Sequence, residues 1–123
     1  MVKVLIVDDA FAQREQLKNI ITDRGYEVLE ACDGQEGFEL AIKNKNDIAL
    51  IICDFNMPVM DGISMCKKIK EENILNVPIF MITTESSLEL KELGKSVGIK
   101  AWLLKPFDPN IIAQIMQKFI NKE

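Results

Sequence analysis

The sequence predicts an α/β domain with a doubly wound parallel sheet of five strands and five helices. Short apolar segments recur along the chain with amphipathic segments between them, a pattern typical of parallel βαβ units. Residues 49–53 are apolar without alternation, as expected for a central strand covered on both faces. The chain has 123 residues, of which 48% are hydrophobic, enough to bury one core. We therefore expect a single domain over residues 1–123.

The first part of the chain predicts three strands and two helices with recognisable ends. Gly25 ends the first helix, because glycine readily takes the left-handed conformation found there. Asp33 and Glu36 have capping-box spacing at the start of the second helix. The second strand is short and polar, which predicts an edge position. In chain order the predicted elements are strand 2–7, helix 10–24, strand 27–31, helix 33–42 and strand 49–53.

The second part predicts three helices and two strands. Ser86 and Glu89 have capping-box spacing, so we expect the fourth helix to begin near Ser86 and to end at Gly98. Gly94 would then lie inside that helix, where it marks local softness or, alternatively, an early helix end or a close packing contact. The fifth helix begins at an Asp108 N-cap followed by a proline at its first position. In chain order these elements are loop 54–61, helix 62–71, strand 79–82, helix 86–98, strand 100–104 and the helix that starts at 108.

Charged residues follow three of the predicted strands at the point where each strand ends. Asp8 and Asp9 follow the first strand, Asp54 follows the third, and Lys105 follows the fifth. Ligands of open α/β sheets bind at the carboxyl ends of the strands. Three carboxylates and one ammonium group at that edge indicate a divalent cation and an anionic group held together.

This charge pattern suits phosphoryl chemistry on an aspartate. Neighbouring carboxylates repel one another, and Mg²⁺ relieves that repulsion while keeping water and phosphate oxygens as ligands. An aspartate beside such an ion can act as a nucleophile and form an aspartyl-phosphate. A lysine and a hydroxyl at the same edge would stabilise the transferred group, and Lys105 and Thr83 are placed for this. Each residue alone is also compatible with a structural role, such as a helix cap or a surface lysine.

Four separated motifs resemble the receiver domain of two-component response regulators, in the same order and over essentially the whole chain. They are Val7-Asp8-Asp9, the segment DFNMPVMDG at 54–62, the segment ITTE at 82–85, and Lys105-Pro106-Phe107. The resemblance implies a flavodoxin-like sheet with strand order 2-1-3-4-5. It also implies a cis peptide bond between Lys105 and Pro106.

The resemblance assigns a phosphoacceptor and a metal site. Asp54 would accept the phosphoryl group. Asp8 and Asp9 would hold Mg²⁺, or alternatively Mn²⁺, with Asp9 the more direct ligand. Asp54 and the backbone carbonyl of Asn56 would complete the protein ligands.

The resemblance also assigns the residues that bind the phosphoryl group and respond to it. Lys105 would pair with one phosphoryl oxygen, and Thr83 would move to hydrogen-bond another. Trp102 stands where the family has an aromatic switch residue, often Tyr or Phe, and the bulk of its indole makes inward burial next to Thr83 harder. Asn56 and Glu85 flank the path of the attacking water in the family and tune the lifetime of the phosphoryl group, although both could simply be solvated loop residues.

The family resemblance implies a signalling protein that assists its own phosphorylation and dephosphorylation and is not an enzyme in the usual sense. Asn56 and Glu85 resemble the corresponding pair of stand-alone chemotaxis regulators. We therefore expect a chemotaxis-type histidine kinase as phosphodonor, a flagellar motor switch protein as target, and a possible phosphatase. The alternative is a phosphorelay intermediate that passes its phosphoryl group to a histidine phosphotransferase. We expect a monomer.

Composition argues against several other classes. The chain has no histidine, which excludes imidazole catalysis and a histidine metal site. Its net charge of −4 does not indicate nucleic-acid binding. There is no apolar run long enough to span a membrane and no signal-peptide pattern, so we expect a cytoplasmic protein. An aspartyl-phosphate hydrolase would need a second acid where this chain has Asn56, and a flavodoxin would not place two aspartates beside its flavin phosphate.

Overall fold

The computed structural model describes residues 2–120, which form five strands and five helices in strict alternation. The ends of the predicted range, residue 1 and residues 121–123, lie outside the described residues. Among residues 2–120, no helix is both long and apolar enough to cross a membrane. In chain order the elements are β1 Lys3–Val7, α1 Phe11–Thr22, β2 Glu27–Ala31, α2 Gly34–Lys43, β3 Ile48–Cys53, α3 Gly62–Glu71, β4 Ile79–Thr83, α4 Leu88–Ser96, β5 Ile99–Leu104 and α5 Pro109–Phe119.

The five strands pair in parallel in the order β2-β1-β3-β4-β5. This confirms the order that the resemblance implied, and it places the polar β2 at an edge. The order reverses direction between β1 and β3, and α/β sheets bind their ligands outside the strand ends at such a reversal.

The sheet separates two apolar layers. Phe38 of α2 and Ile69 of α3 belong to one layer, and Leu90 of α4 packs against it. Leu17 of α1 and Ile112 of α5 belong to the other layer. The helices α2, α3 and α4 therefore cover one face, while α1 and α5 cover the opposite face.

β3 shows why its sequence lacks apolar alternation. Ile51 and Cys53 point into the layer under α2 and α3, whereas Leu50 and Ile52 point into the layer under α1 and α5. Side chains alternate across a strand with a period of two, so a strand covered on both faces must be apolar at every position. The prediction of a central strand is confirmed.

Most helix and strand ends differ from the predicted ones by one or two residues, and the others agree. α1 begins at Phe11 and ends at Thr22, while Gly25 follows it with a φ of 88°. α3 has the predicted bounds, because the side chain of Asp61 accepts a hydrogen bond from the Ser64 backbone and caps its first turn. Asp108 caps α5 in the same way, with Pro109 at the first helical position.

Two capping predictions need correction. The N-cap of α4 is Ser87 and not Ser86, since the Ser87 hydroxyl accepts a hydrogen bond from the Leu90 backbone N–H. Two adjacent serines offer the same cap chemistry, so only the path of the preceding loop chooses between them. In α2, Asp33 is the predicted N-cap and accepts from the Glu36 N–H at 2.8 Å. The Glu36 carboxylate, however, accepts from the Cys32 N–H at 2.7 Å and not from the Asp33 N–H of a regular capping box.

Two glycines allow helices to approach the loop that follows β3. A Cβ atom on Gly62 would overlap the carbonyl oxygen of Asp54, and a Cβ atom on Gly34 would overlap the carbonyl oxygen of Met60. The Gly34 N–H donates to that same Met60 oxygen at 3.0 Å. Loop 54–61 is thereby held between the first turns of α2 and α3.

Candidate active site

The acidic residues lie together because their strands pair in register. Val7 of β1 is opposite Cys53 of β3, so the next residues, Asp8 and Asp54, emerge at the same level of the sheet edge. The Asp54 N–H donates to the Val7 carbonyl at 3.0 Å, which continues the β-ladder as far as Asp54. Carboxylate oxygens of Asp8, Asp9 and Asp54 all lie within 4.8 Å of one another.

The three acids differ in exposure. Asp8 is 2% exposed and Asp54 is 6% exposed, whereas Asp9 is exposed to solvent. An ion entering from solvent would therefore meet Asp9 first and the two buried acids behind it. This agrees with the expectation that Asp9 is the more direct ligand, which remains a prediction.

Lys105 bridges the two buried acids. Its Nζ atom donates to Asp54 Oδ2 at 2.7 Å and to Asp8 Oδ2 at 3.1 Å. Partial burial alone would lower the pKa of Lys105, but the hydrogen bond to Asp54 and the charges of Asp8 and Asp54 outweigh it and raise the pKa above the usual 10.5. Lys105 is therefore a cation at neutral pH. The Lys105–Pro106 peptide bond is cis, as the resemblance implied.

The second oxygen of each buried acid accepts a backbone hydrogen bond from its own loop. Asp8 Oδ1 accepts from the Ala10 N–H at 2.8 Å, and Asp54 Oδ1 accepts from the Phe55 N–H at 2.6 Å. Burial raises the pKa of Asp8 above its usual 3.8, although the Ala10 N–H and Lys105 partly counteract it. The orientation of both carboxylates is fixed, with Oδ2 directed to Lys105.

The donor set fits a hard divalent cation. Mg²⁺ prefers carboxylate, carbonyl and water oxygens and tolerates an incomplete protein cage, and the described residues supply three converging carboxylates here. One lysine cannot neutralise three carboxylates, so an added cation would relieve the remaining repulsion. Receiver domains generally bind Mg²⁺ at such an acidic pocket, and the residues present are suitable for it.

Thr83 and the loop after β4 complete the edge opposite Asp8. Thr83 is the fully buried last residue of β4, and its Oγ1 accepts a hydrogen bond from the Glu85 N–H at 3.3 Å. The Glu85 carboxylate accepts from Asn56 Nδ2 at 2.8 Å. Asn56 and Glu85 are therefore hydrogen-bonded to each other beside the site, with Asn56 exposed to solvent, and their role in tuning the phosphoryl lifetime stays a prediction.

Trp102 lies half-buried on β5, beyond this pair. Its indole Nε1–H donates to the Glu85 backbone carbonyl at 2.8 Å. The indole is therefore not buried next to Thr83 but is hydrogen-bonded to the loop between β4 and α4.

Arg14 is a site residue that the sequence analysis missed. Its Nη1 donates to the Asp8 carbonyl at 2.7 Å, and its Nε pairs with Glu30 of β2 at 3.2 Å. Arg14 therefore braces the backbone of the acidic pair from α1. A single arginine on an amphipathic helix carries no motif, so nothing in its local sequence distinguishes it.

Comparison with known families identifies the arrangement. Residues 4–117 match the family model of the response regulator receiver domain. The chain belongs to this family. The sequence resemblance is thus confirmed at the level of family, and the acids, the lysine and the threonine occupy one edge of a receiver fold.

The most similar relatives include chemotaxis proteins. The chain is 35% identical over 117 residues to the chemotaxis protein CheY homolog of Campylobacter jejuni serotype O:23/36, covering 94% of this chain and 89% of that protein. It is 36% identical to chemotaxis protein CheY1 of Helicobacter pylori J99, with 94% of each chain covered.

Solved structures give the same result. CheY4 of Vibrio cholerae, crystallised at pH 4.0, matches with a TM-score of 0.86 and 40% identity over 98% of this chain and 99% of that one. CheY from a CheX–CheY–BeF₃–Mg²⁺ complex of Borrelia burgdorferi matches with a TM-score of 0.88 and 30% identity over 97% and 90%. The receiver is therefore CheY-like in both sequence and fold.

Proposed function

We propose that this receiver is a stand-alone response regulator in which Asp54 accepts a phosphoryl group from a histidine kinase. The observation that carries the proposal is the pairing of the buried Asp54 carboxylate with Lys105 at 2.7 Å, beside two further carboxylates. Asp54 Oδ2 would attack phosphorus, forming a P–O bond as the P–N bond to the donor imidazole breaks. The imidazole nitrogen takes up a proton as it leaves.

The described residues supply positioning and charge for this step. The backbone hydrogen bond from Phe55 to Asp54 Oδ1 leaves Oδ2 as the attacking oxygen. Lys105 would turn from the two carboxylates to an oxygen of the new phosphoryl group. The ammonium group would then compensate the negative charge of that oxygen. Asp8, Asp9, Asp54 and the Asn56 carbonyl would hold Mg²⁺, which supplies neutralisation of phosphoryl oxygens when bound.

The signal would leave the site through Thr83. Its hydroxyl is engaged with the Glu85 N–H in this structure, so a turn toward a phosphoryl oxygen would free that N–H and alter the loop before α4. Trp102 contacts the same loop. Phosphorylation would thus bias two arrangements of the α4–β5 region, as in other charge-driven switches.

The target would bind beside Trp102. α4 and β5 border a cleft of about 310 Å³ lined by Leu88, Lys91, Lys100 and Trp102 among others. Its apolar floor and basic rim suit an amphipathic acidic peptide. The relatives are named as chemotaxis proteins, which agrees with a chemotaxis output. We therefore propose a flagellar motor switch protein as target, a chemotaxis-type kinase as donor, a cytoplasmic setting and a phosphatase that limits the signal.

Intact mass after brief treatment with acetyl phosphate tests the chemistry. We expect one phosphoryl addition that requires Mg²⁺ and is lost in Asp54→Asn. Asp47→Asn is the matched control, because Asp47 is a largely exposed carboxylate that pairs with Lys3 away from the site. Full phosphorylation of Asp54→Asn, or none of the wild type at any Mg²⁺ concentration, would contradict the proposal.

A second experiment separates the two outputs. Phosphorylated protein would be titrated with a peptide from a flagellar motor switch protein and, separately, mixed with a histidine phosphotransferase. Tighter peptide binding after phosphorylation supports the chemotaxis output. Rapid loss of the phosphoryl group to the phosphotransferase, without peptide binding, supports the phosphorelay alternative.

A further inference from the structure

Trp102 lies outside the acidic site, but one hydrogen bond joins it to the loop that carries Glu85. The indole Nε1–H donates to the backbone carbonyl of Glu85 at 2.8 Å, and the indole has no other hydrogen-bonding atom. β5 thereby holds one peptide group of the loop that connects β4 to α4.

That peptide group belongs to a residue whose two other polar groups are bonded within the site. The Glu85 N–H donates to Thr83 Oγ1, and the Glu85 carboxylate accepts from Asn56 Nδ2 at 2.8 Å. With its carbonyl bound to Trp102 as well, Glu85 is restrained at its N–H, its carbonyl and its side chain. The carbonyl contact with Trp102 is the restraint that comes from the α4–β5 region.

Gly94 leaves the space that the indole occupies. A Cβ atom at position 94 would lie 3.0 Å from Trp102 Cζ3, 3.4 Å from Cε3 and 3.2 Å from Ile99 Cδ1. These distances are at or below the limit of ordinary carbon contacts, so a side chain here would displace the ring. Gly94 lies in the middle of α4, where glycine is unfavourable. Its use there is explained by the space that the indole occupies, so the packing alternative for Gly94 is favoured over a soft helix.

We infer that Trp102, seated against Gly94, is a positioning residue that holds Glu85 on Asn56 and so sets the lifetime of the phosphoryl group on Asp54. The inference rests on the proposed function. Hydrolysis needs a water molecule whose oxygen attacks phosphorus while the bond to Asp54 breaks, giving inorganic phosphate and a free carboxylate. As long as Asn56 and Glu85 bond to each other, neither is free to orient that water or take its proton.

Release of the indole contact would loosen this pair. The peptide between residues 85 and 86 could then rotate, and the Glu85 carboxylate could leave Asn56 and act on the water as a base. Loss of the contact should therefore shorten the phosphoryl lifetime by about two- to tenfold, the rate equivalent of one ordinary hydrogen bond. A lifetime that depends on the state of Trp102 would couple the output region to signal termination.

A set of four variants tests the inference in the full chain. Trp102→Phe keeps an aromatic ring but removes the N–H donor, and Gly94→Ala displaces the indole while leaving the donor. The double variant restores space, because a phenyl ring is smaller than an indole. Leu93→Ala is the control, since Leu93 is the exposed neighbour of Gly94 on α4. Each protein is phosphorylated with acetyl phosphate, freed of donor, and followed by intact mass.

We expect a shorter lifetime in Trp102→Phe and in Gly94→Ala, an unchanged lifetime in Leu93→Ala, and no further change when Gly94→Ala is added to Trp102→Phe. Such a lack of additivity is expected if Gly94 affects the lifetime only through the indole of Trp102. Folded Trp102→Phe protein with the wild-type lifetime would overturn the inference. So would a Gly94→Ala effect that keeps its full size when the substitution is made in the Trp102→Phe protein. If Gly94→Ala does not fold, Trp102→Phe alone still decides the result.

A second measurement does not depend on phosphorylation. The chain has one tryptophan, so its indole N–H gives one resolved NMR signal and its fluorescence is unambiguous. We expect the unphosphorylated wild type to show a slowly exchanging indole N–H, and Gly94→Ala to show faster exchange and shifted fluorescence. A fast-exchanging indole in the wild type would overturn the contact itself. Failure of acetyl phosphate to modify the wild type would instead overturn the proposed function.

Discussion

The helices α3 and α4 follow neighbouring strands and pack on the same face of the sheet, yet they bury very different surfaces. The buried residues of α3 are Gly62, Ile63, Met65, Cys66 and Ile69. Across residues 88–96, all of which the structure describes, α4 buries only Gly94. The firmly packed α3 therefore follows the loop of Asp54, and the loosely packed α4 follows the loop of Thr83 and Glu85.

This difference separates two requirements of a switch. In the proposed function Asp54 must stay in place, and the loop that carries it is held by the Gly62 N–H, which donates to the Phe55 carbonyl at 3.0 Å. The responding region must move at small cost, and elements with few buried apolar contacts open most easily. Burial and this hydrogen bond therefore predict a rigid region around Asp54 and a more mobile one around α4.

Matched glycine substitutions should show the largest contrast between the helices. Gly62→Ala places a Cβ atom against the Asp54 carbonyl, and we expect a loss of about 3 kcal/mol or more because backbone cannot yield cheaply. Gly94→Ala should change the free energy of unfolding by less than about 1 kcal/mol, since alanine favours the helix and the indole edge can shift. Urea denaturation measures both values. Equal losses would remove the distinction between the helices.

Truncation of one apolar side chain on each helix should give the next largest contrast. Ile69 of α3 is almost fully buried and Leu90 of α4 only partly. We expect Ile69→Ala to cost about 3 kcal/mol and Leu90→Ala about 1 kcal/mol in unfolding free energy, because the cost follows the buried volume removed. The same urea titrations provide the measurement. A larger cost at Leu90 would mean that α4 is held more firmly than its exposure indicates.

The firmly packed side also holds an electrostatic conflict, which Asp8→Asn should relieve. Because burial raises the pKa of Asp8 in the folded protein, the ionised form costs stability above that pKa, and the cost vanishes near and below 3.8, its usual value. We expect Asp8→Asn to stabilise by about 1 kcal/mol at pH 7, with the gain disappearing as the pH falls toward 3.8. Asp47→Asn, at an exposed position, should show no such pH dependence. A stability gain of Asp8→Asn that increased as the pH fell would contradict this prediction.

A smaller conflict lies in the loop that precedes α3. Val59 has a φ of 70° and is 81% exposed, and this left-handed conformation is strained for a β-branched residue. Asparagine tolerates it better, so Val59→Asn should stabilise by roughly 0.5–1 kcal/mol. Differential scanning calorimetry would detect the rise in Tm. Val59→Ala relieves less strain and should gain less; an asparagine variant no more stable than the valine protein would show that packing, not strain, decides this position.

The sequence by itself determined the order of the elements and the residues gathered at the sheet edge. Local physics is sufficient for this. Asp108 and Pro109 are a favoured pair at the start of a helix, uninterrupted apolar residues at 49–53 require cover on two faces, and charges that end parallel strands meet at one edge. The motifs that resemble receiver domains added the strand order and the family, both of which are confirmed.

Only the tertiary structure decided which groups touch. Lys105 and Asp8 are 97 positions apart, and no local pattern shows that one ammonium group joins two carboxylates. The same holds for the indole of Trp102 on the Glu85 carbonyl and for the space that Gly94 leaves beside it. Even the choice of Ser87 over Ser86 as a cap depends on the path of a loop. Sequence specifies residue types and periodicity, whereas contacts between distant residues depend on how the helices pack on the sheet.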